Sequence, residues 1–281
     1  MGILSIMKGK GNILYYPGCL TKFVLKQEAE NYKKILEKIG VDFIMLPDEL
    51  CCGSPVLNAG YEQDARKLAR KNLEIFKKHN IGKIITNCPA CYKTFTNYGE
   101  MLPDWNIKAE HITITILEYL KNKNIKFNIY RKATYHDPCH LGRHSGIYQE
   151  PREILERLGY EIIEMKNNKK EAFCCGGGAG LKANNPKLAD KISRERIKQA
   201  KAIGVDKIIT TCPLCFSHLE ENSDTKKILT NSDFRGDQNS KNFDICIEEF
   251  SYVVADALGL KPGKTCTKEL EKDEKIVEAC S

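Results

Sequence analysis

Short runs of consecutive apolar residues alternate along this chain with longer segments whose apolar residues recur every three or four positions. Ile13-Leu14-Tyr15-Tyr16 is one such run; Val24, Leu25, Tyr32, Ile35, Leu36 and Ile39 then follow at helical spacing until Gly40. Val41 to Leu46 predicts a second strand, Leu68, Leu73 and Phe76 a second helix, and Lys83-Ile84-Ile85-Thr86 a third strand. The pattern then begins again. Ala133-Thr134-Tyr135 predicts a strand, 148–158 a helix ending at Gly159, and Tyr160 to Met165 a strand; a helix over 186–203 ends at Gly204, and Lys207-Ile208-Ile209-Thr210 is a further strand. Strands alternating with helices predict βαβ units, hence an α/β fold with parallel sheets. Two tandem repeats related by a pseudo-twofold axis are expected, one over 1–130 and one over 131–281. The second takes in a polar loop at 222–242 and a charged tail after Pro262. Each repeat closes on an apolar stretch, Ile114 to Tyr119 and Ile245 to Phe250, an alignment that sets Cys246 opposite Thr115.

Composition narrows the class. The 281 residues are 42% hydrophobic and 29% charged, as in ordinary globular proteins. No stretch approaches the roughly 18 apolar residues that would cross a bilayer. Met1 to Met7 is too short for the apolar core of a signal peptide. The expected location is therefore cytoplasmic, with no direct membrane span. The net charge of +7 is spread among acidic residues, without a basic run interleaved with aromatics. That argues against a nucleic-acid surface and suits an anionic substrate or acidic partners.

Cysteine changes the picture. There are 13 in a chain without an export signal, which points to metal ligands or redox groups rather than disulfides. Ten fall into a repeated register. The first half carries Tyr16-Pro17-Gly18-Cys19, then Cys51-Cys52-Gly53, then Cys88-Pro89-Ala90-Cys91; the second carries His136-Asp137-Pro138-Cys139, then Cys174-Cys175-Gly176, then Cys212-Pro213-Leu214-Cys215. Between lone cysteine, pair and CxxC lie 31 and 35 residues in the first copy, and 34 and 36 in the second. Each motif follows a predicted strand, so the three parts of each should meet at the carboxyl edge of one parallel sheet. Pro at the second CxxC position favours a helix start, whose N–H groups point at sulfur and favour thiolate. Adjacent cysteines in a regular strand would face opposite ways, and the glycine after each pair permits the turn that brings both to one site.

Five thiols per half exceed what a structural zinc or a cubane [4Fe–4S] cluster takes, four in each case. The surplus suggests an opened cluster with a bridging thiolate, or a cubane beside a spare reactive thiol. Zinc with an incidental fifth cysteine is the competing reading for either half. A two-cysteine redox mechanism leaves Cys19, Cys51, Cys52 and their counterparts unexplained.

This double arrangement resembles the CCG-domain (cysteine-rich domain) family over about residues 12–220. That family includes one subunit, and the C-terminal half of another, of the CoB–CoM heterodisulfide reductases of methanogenesis. It also includes iron–sulfur subunits of glycolate, lactate and anaerobic glycerol-3-phosphate oxidoreductases. The resemblance implies that Cys19, Cys51, Cys52, Cys88 and Cys91 hold one cluster and Cys139, Cys174, Cys175, Cys212 and Cys215 a second. It implies two noncubane [4Fe–4S] clusters, and a disulfide such as CoM–S–S–CoB as substrate. Ferredoxin-like iron–sulfur and flavoprotein subunits would then supply electrons, in a complex that can sit peripherally on a membrane. Two motifs refine the likeness, Cys51-Cys52-Gly53-Ser54-Pro55 and Cys174 to Gly180. Both look closer to the reductase member with the domain in its C-terminal half, and to the oxidase subunits, than to the other reductase member.

Smaller signals remain. His136, His140 and His144 flank Cys139 and are expected to hydrogen-bond around the site or lie at the surface rather than ligate; His140 is a candidate proton donor to a departing thiolate. Gly176-Gly177-Gly178-Ala179-Gly180 is no phosphate loop and should let backbone approach a ligand closely. Arg143 and Lys182 are surface charges or anion holders. Cys246 reads as a small core residue, and Cys266 and Cys280 receive no role. The expected function is a disulfide-reducing oxidoreductase subunit. An electron relay from a flavoprotein dehydrogenase is the second reading, and a redox-inactive zinc protein the third.

Overall fold

A computed structural model describes residues 11–127, 130–223 and 245–263. Cys266 and Cys280, Met1 to Met7 and nearly all of the polar loop lie outside them. The architecture is α/β, with two parallel sheets. In the first, β1 (Asn12–Tyr15), β2 (Ile81–Thr86) and β3 (Lys108–His111) lie in that order. In the second, β4 (Arg131–Tyr135), β5 (Tyr160–Ile162), β6 (Lys207–Thr210) and β7 (Cys246–Glu249) are ordered β5-β4-β6-β7.

The segment expected as a strand over 41–46 keeps only one parallel bridge, Leu14 to Ile44. Backbone bonds from Tyr15 N to Ile44 O (2.9 Å) and from Ile44 N to Ile13 O (2.8 Å) hold it at the outer side of β1. An edge segment is paired on one side only, and Pro47 follows at once. With that bridge counted, both sheets have the same strand order. β5 is likewise shorter than the expected 160–165.

One expectation needs correction. The apolar stretch at 114–119 belongs to the helix Ile112–Asn122, and the strand before it is the polar β3. In the second half β7 precedes the helix Phe250–Ala257. Lys83 pairs with Lys108 and Lys207 with Cys246, so the counterpart of Cys246 is Lys108 and not Thr115. The periodicity was ambiguous because a buried helix start and a buried strand both read as apolar runs.

Side chains alternate across each sheet and feed three cores. Tyr15 and Ile85 of the first sheet, and Ala133, Tyr135 and Ile209 of the second, face a shared central core with Tyr32, Leu36, Ile116, Ile154 and Val254. Leu14, Tyr16 and Ile84 face the other way onto Leu73, Phe76 and Phe95. Ile208 does the same in the second half, onto Ile197 and Leu219. In the middle layer the helix Lys26–Lys38 packs on Phe250–Ala257, and Ile112–Asn122 on Gln149–Arg157. Each fully buried Leu or Ile stabilises by about 1.5–3 kcal/mol over exposure. No helix among the described residues is long and apolar enough to cross a membrane.

Candidate metal centres

Each group of five cysteines gathers beyond the carboxyl ends of its strands. Cys19 begins the short helix Cys19–Phe23 after β1, and Cys88 caps the helix Pro89–Thr96 after β2. Cys212 caps Pro213–Glu221 in the same way. Proline at the first helical position is suited to both starts. The Cys91 thiol, and then the nearby amides of Cys91 and Ala90, favour the Cys88 thiolate.

The paired cysteines turn on glycine. Gly53 and Gly176 have φ of +84° and +85°, where a side chain is strained. Gly53 N reaches Cys51 Sγ at 3.4 Å and Gly176 N reaches Cys174 Sγ at 3.3 Å, so both turns feed an amide to sulfur. Gly18 shows how closely the lone-cysteine segment approaches. A β-carbon there would stand 3.1 Å from Cys91 Sγ and 3.3 Å from the β-carbon of Cys88.

The sulfurs form two connected nests. In the first, Cys19 donates to Cys51, Cys51 and Cys91 both face Cys52 as donors, Cys91 also lies against Cys88, and Cys88 feels the charge of Cys19. In the second, Cys174 bonds Cys175, Cys175 bonds Cys215 and Cys215 bonds Cys212, while Cys139 senses Cys212 and Cys175. The second cysteine of each pair is the natural thiolate. Hydrogen bonds from Cys51 and then Cys91 bring Cys52 down to about 5, and bonds from Cys174 and Cys215 pull Cys175 well below the usual thiol range. Their neighbours Cys91 and Cys215, donating those bonds while buried, are pushed well up.

Such a cluster cannot ionise fully by itself, because five close thiolates repel one another. A multiply charged cationic core removes that conflict, so the donor set fits a thiolate-bound metal centre in both halves. Access differs between them. Cys19 is the exposed thiol of the first nest and Cys174 that of the second, while Cys52, Cys91, Cys175, Cys212 and Cys215 are buried.

The remaining predicted residues are placed as follows. His136 is buried, with a ring nitrogen within 4.8 Å of the Cys175 and Cys215 sulfurs. His140 Nδ1 lies 3.4 Å from Cys139 Sγ, and its ring stacks on exposed His144 at 5.0 Å. Burial, and then the nearby charges of His144 and Lys93, hold His140 below the usual imidazole value. Arg143 donates to Ala172 O at 2.7 Å, just ahead of the Cys174-Cys175 pair, and Lys182 pairs with Glu221, so both have structural partners. The close approach at Gly176 and Gly177 is to other parts of the chain: a β-carbon on Gly176 would stand 2.5 Å from Ala189 O, and one on Gly177 3.1 Å from the β-carbon of His218.

The profile of the CCG cysteine-rich domain matches residues 13–96 and again 133–220, more than half of the chain. The chain belongs to the CCG family. Relatives carry matching names. A polypeptide of the dihydromethanophenazine:CoB–CoM heterodisulfide reductase of Methanosarcina acetivorans is 33% identical over 263 residues, covering 89% of this chain and 60% of that one. An iron–sulfur protein of Methanocaldococcus jannaschii is 36% identical, covering 75% and 42%. The EtfAB:quinone oxidoreductase of Syntrophomonas wolfei is 33% identical, covering 74% and 31%. The chain thus spans about three fifths of the heterodisulfide reductase polypeptide and less of the other two. CCG relatives are accordingly iron–sulfur and oxidoreductase proteins.

Sequence reasoning missed three buried polar residues of this CCG chain. Arg196 is fully buried on the helix Pro186–Ala202 and donates through Nε to His136 Nδ1 at 3.1 Å. Its readable signal was a charge on the apolar stripe of Ala189, Ser193, Ile197 and Ala200. Asp137 takes a two-pronged bond from Arg152 at 2.7 and 2.8 Å. Glu249 accepts from Tyr32 at 2.6 Å across the central core. Those two pairings had no local signature.

Proposed function

We propose that the chain is the iron–sulfur subunit of a heterodisulfide reductase-type oxidoreductase, acting on a small disulfide. The observation that carries this is the convergence of two five-sulfur nests, in a family whose relatives include heterodisulfide reductase subunits. Cys19, Cys51, Cys52, Cys88 and Cys91 would hold one [4Fe–4S] core, and Cys139, Cys174, Cys175, Cys212 and Cys215 the other, both of noncubane type.

Reducing a disulfide takes two electrons and two protons and releases two thiols. A bound iron–sulfur core supplies electrons singly. The chain's own residues hold the sulfurs, exclude water from the buried thiols and keep an imidazole, His140, beside Cys139 for proton delivery to a departing thiolate. Electrons would come from ferredoxin-like and flavoprotein partners, with the assembly cytoplasmic or peripheral to a membrane.

The kinship with an EtfAB:quinone oxidoreductase favours one further reading, a relay passing electrons from a flavoprotein to a quinone-type acceptor. An anaerobic preparation with iron, sulfide and zinc quantified comes first. Iron and sulfide near four per half support both redox readings, and zinc alone ends them. An EPR signal that changes when disulfide is added, together with thiol release from an artificial donor, supports disulfide reduction. A reducible centre indifferent to disulfides leaves the relay.

A further inference from the structure

A sixth side chain distinguishes the second nest. His136 is 1% exposed, and one of its ring nitrogens lies within 4.8 Å of the Cys175 and Cys215 sulfurs. Such closeness suits a metal ligand or a hydrogen-bond donor, and Arg196 decides between them. A guanidinium N–H can only donate, so the Nδ1 that accepts it carries no proton. A neutral imidazole then keeps its proton on Nε2, which cannot ligate a metal while protonated and can only donate. Arg196 is itself pinned by Asn167 O at 2.7 Å and Gln199 Oε1 at 2.9 Å, so the tautomer is held from behind.

The first nest is built otherwise. Aligned on the lone cysteines, Tyr16 occupies the place of His136, and its hydroxyl donates to Leu50 O at 2.6 Å. The helices Glu62–Lys78 and Pro186–Ala202 correspond as well: Gly53 packs on Ala65 and Leu68 where Gly176 packs on Ala189 and Ile192. That register puts Asn72 in the place of Arg196. Asn72 holds backbone instead, accepting from Leu50 N at 3.3 Å and donating to Cys51 O at 3.0 Å.

The geometry points to His136 as a positioning residue that donates a hydrogen bond to the Cys175 sulfur, in the Nε2–H form set by Arg196, and thereby raises the electron affinity of the second centre above that of the first. The inference rests on the proposed iron–sulfur occupancy of both nests. Reduction adds negative charge to the sulfurs, and a donor aimed at one of them stabilises the reduced form more than the oxidised form. Electrons entering the chain then settle at the second nest.

The test uses the full chain prepared anaerobically with iron and sulfide. Redox titration followed by EPR should resolve two transitions. In His136→Asn the side-chain oxygen replaces Nδ1 as acceptor for Arg196, while Nε2 is deleted. We expect one transition to fall by about tenfold in its equilibrium constant, about 59 mV for one electron, the other to stay, and iron content to hold. His136→Gln, long enough to restore a donor, should recover at least half of that shift. In the unmodified protein a weak nitrogen hyperfine coupling at the second centre is expected, a measurement that needs no variant to fold. A strong coupling, or iron lost in His136→Asn, makes His136 a ligand and overturns the inference. An unmoved potential with iron intact overturns it too. Zinc in place of iron in the unmodified protein would instead sink the functional reading beneath it.

Discussion

The two halves present the same five sulfurs through the same turns, and differ in almost everything that touches those turns from behind. Both use a lone cysteine after a strand, a glycine-turned pair and a proline-started CxxC helix. Behind the lone cysteine, however, stand Tyr16, Pro17 and Asn72 in one half and His136, Asp137 and Arg196 in the other. The first set is neutral and ties backbone together. The second is ionic or proton-bearing, with Asp137 locked by Arg152 and His136 by Arg196. The same contrast recurs at the ends of β3 and β7. His111 and Glu249 both cap the helix that follows, through the amides of Thr113 and Ser251. The lesson is that sulfur positions depend on backbone geometry, which both halves share, whereas the charge around them depends on side chains that are free to differ.

The largest expected effect comes from breaking each nest separately. Cys52→Ser and Cys175→Ser should each remove about half of the bound iron and leave the other half in place, read by metal analysis. If either change empties both nests, the halves are not independent holders and the comparison fails.

Next is the fully buried ionic support behind the second nest. Arg152 and Asp137 are both buried, and Glu164 adds a further bond. Burial alone would lower the Arg152 pKa, but the bonds to Asp137 and Glu164 outweigh it and hold the guanidinium charged. Arg152→Met strands Asp137 and should cost about 3–5 kcal/mol in denaturant unfolding. A cost below 1 kcal/mol would show that the second half does not depend on this pair.

The two caps sharpen the comparison through pH. Burial raises Glu249 from 4.5 to about 7, so its contribution is fully present below pH 4.5 and lost as pH rises to 7. Glu249→Gln should therefore stabilise above pH 7, by on the order of 3 kcal/mol, and change little at pH 4.5. Burial lowers His111 from 6.5 to about 3, so its contribution is fully present above pH 6.5 and lost as pH falls to 3. His111→Asn should flatten the acid side of the stability profile only. Thermal melts from pH 4 to 9 check both, and a same-side response from the two variants refutes the opposition.

The smallest effect is expected far from the sulfurs. Asp104 pairs with Arg70 and Lys77 at 2.8 Å each, all three largely exposed. Asp104→Asn should change stability by less than about 1 kcal/mol, and less still in high salt.

Much of this was legible in the order of residues. The register of ten cysteines announced two equivalent sites, Pro89 and Pro213 marked the helix starts, and Gly53 and Gly176 marked the turns. These signals work because they act within a few residues, where φ restrictions and missing N–H groups speak directly. The alignment of Cys246 with Thr115 failed because an apolar run does not say whether it is strand or helix; β7 pairing with β6 settled that.

Taken alone, the sequence determined the α/β class, the duplication and which ten cysteines share a repeated register, since periodicity and spacing are local properties of a chain. Only the tertiary structure decided which side chain answers which. Arg196 meets His136 across 60 residues and Tyr32 meets Glu249 across 217, and no local pattern encodes either pairing. Those contacts exist because packing removed water from both partners, and a buried polar group must then find whatever donor or acceptor the fold has brought within reach.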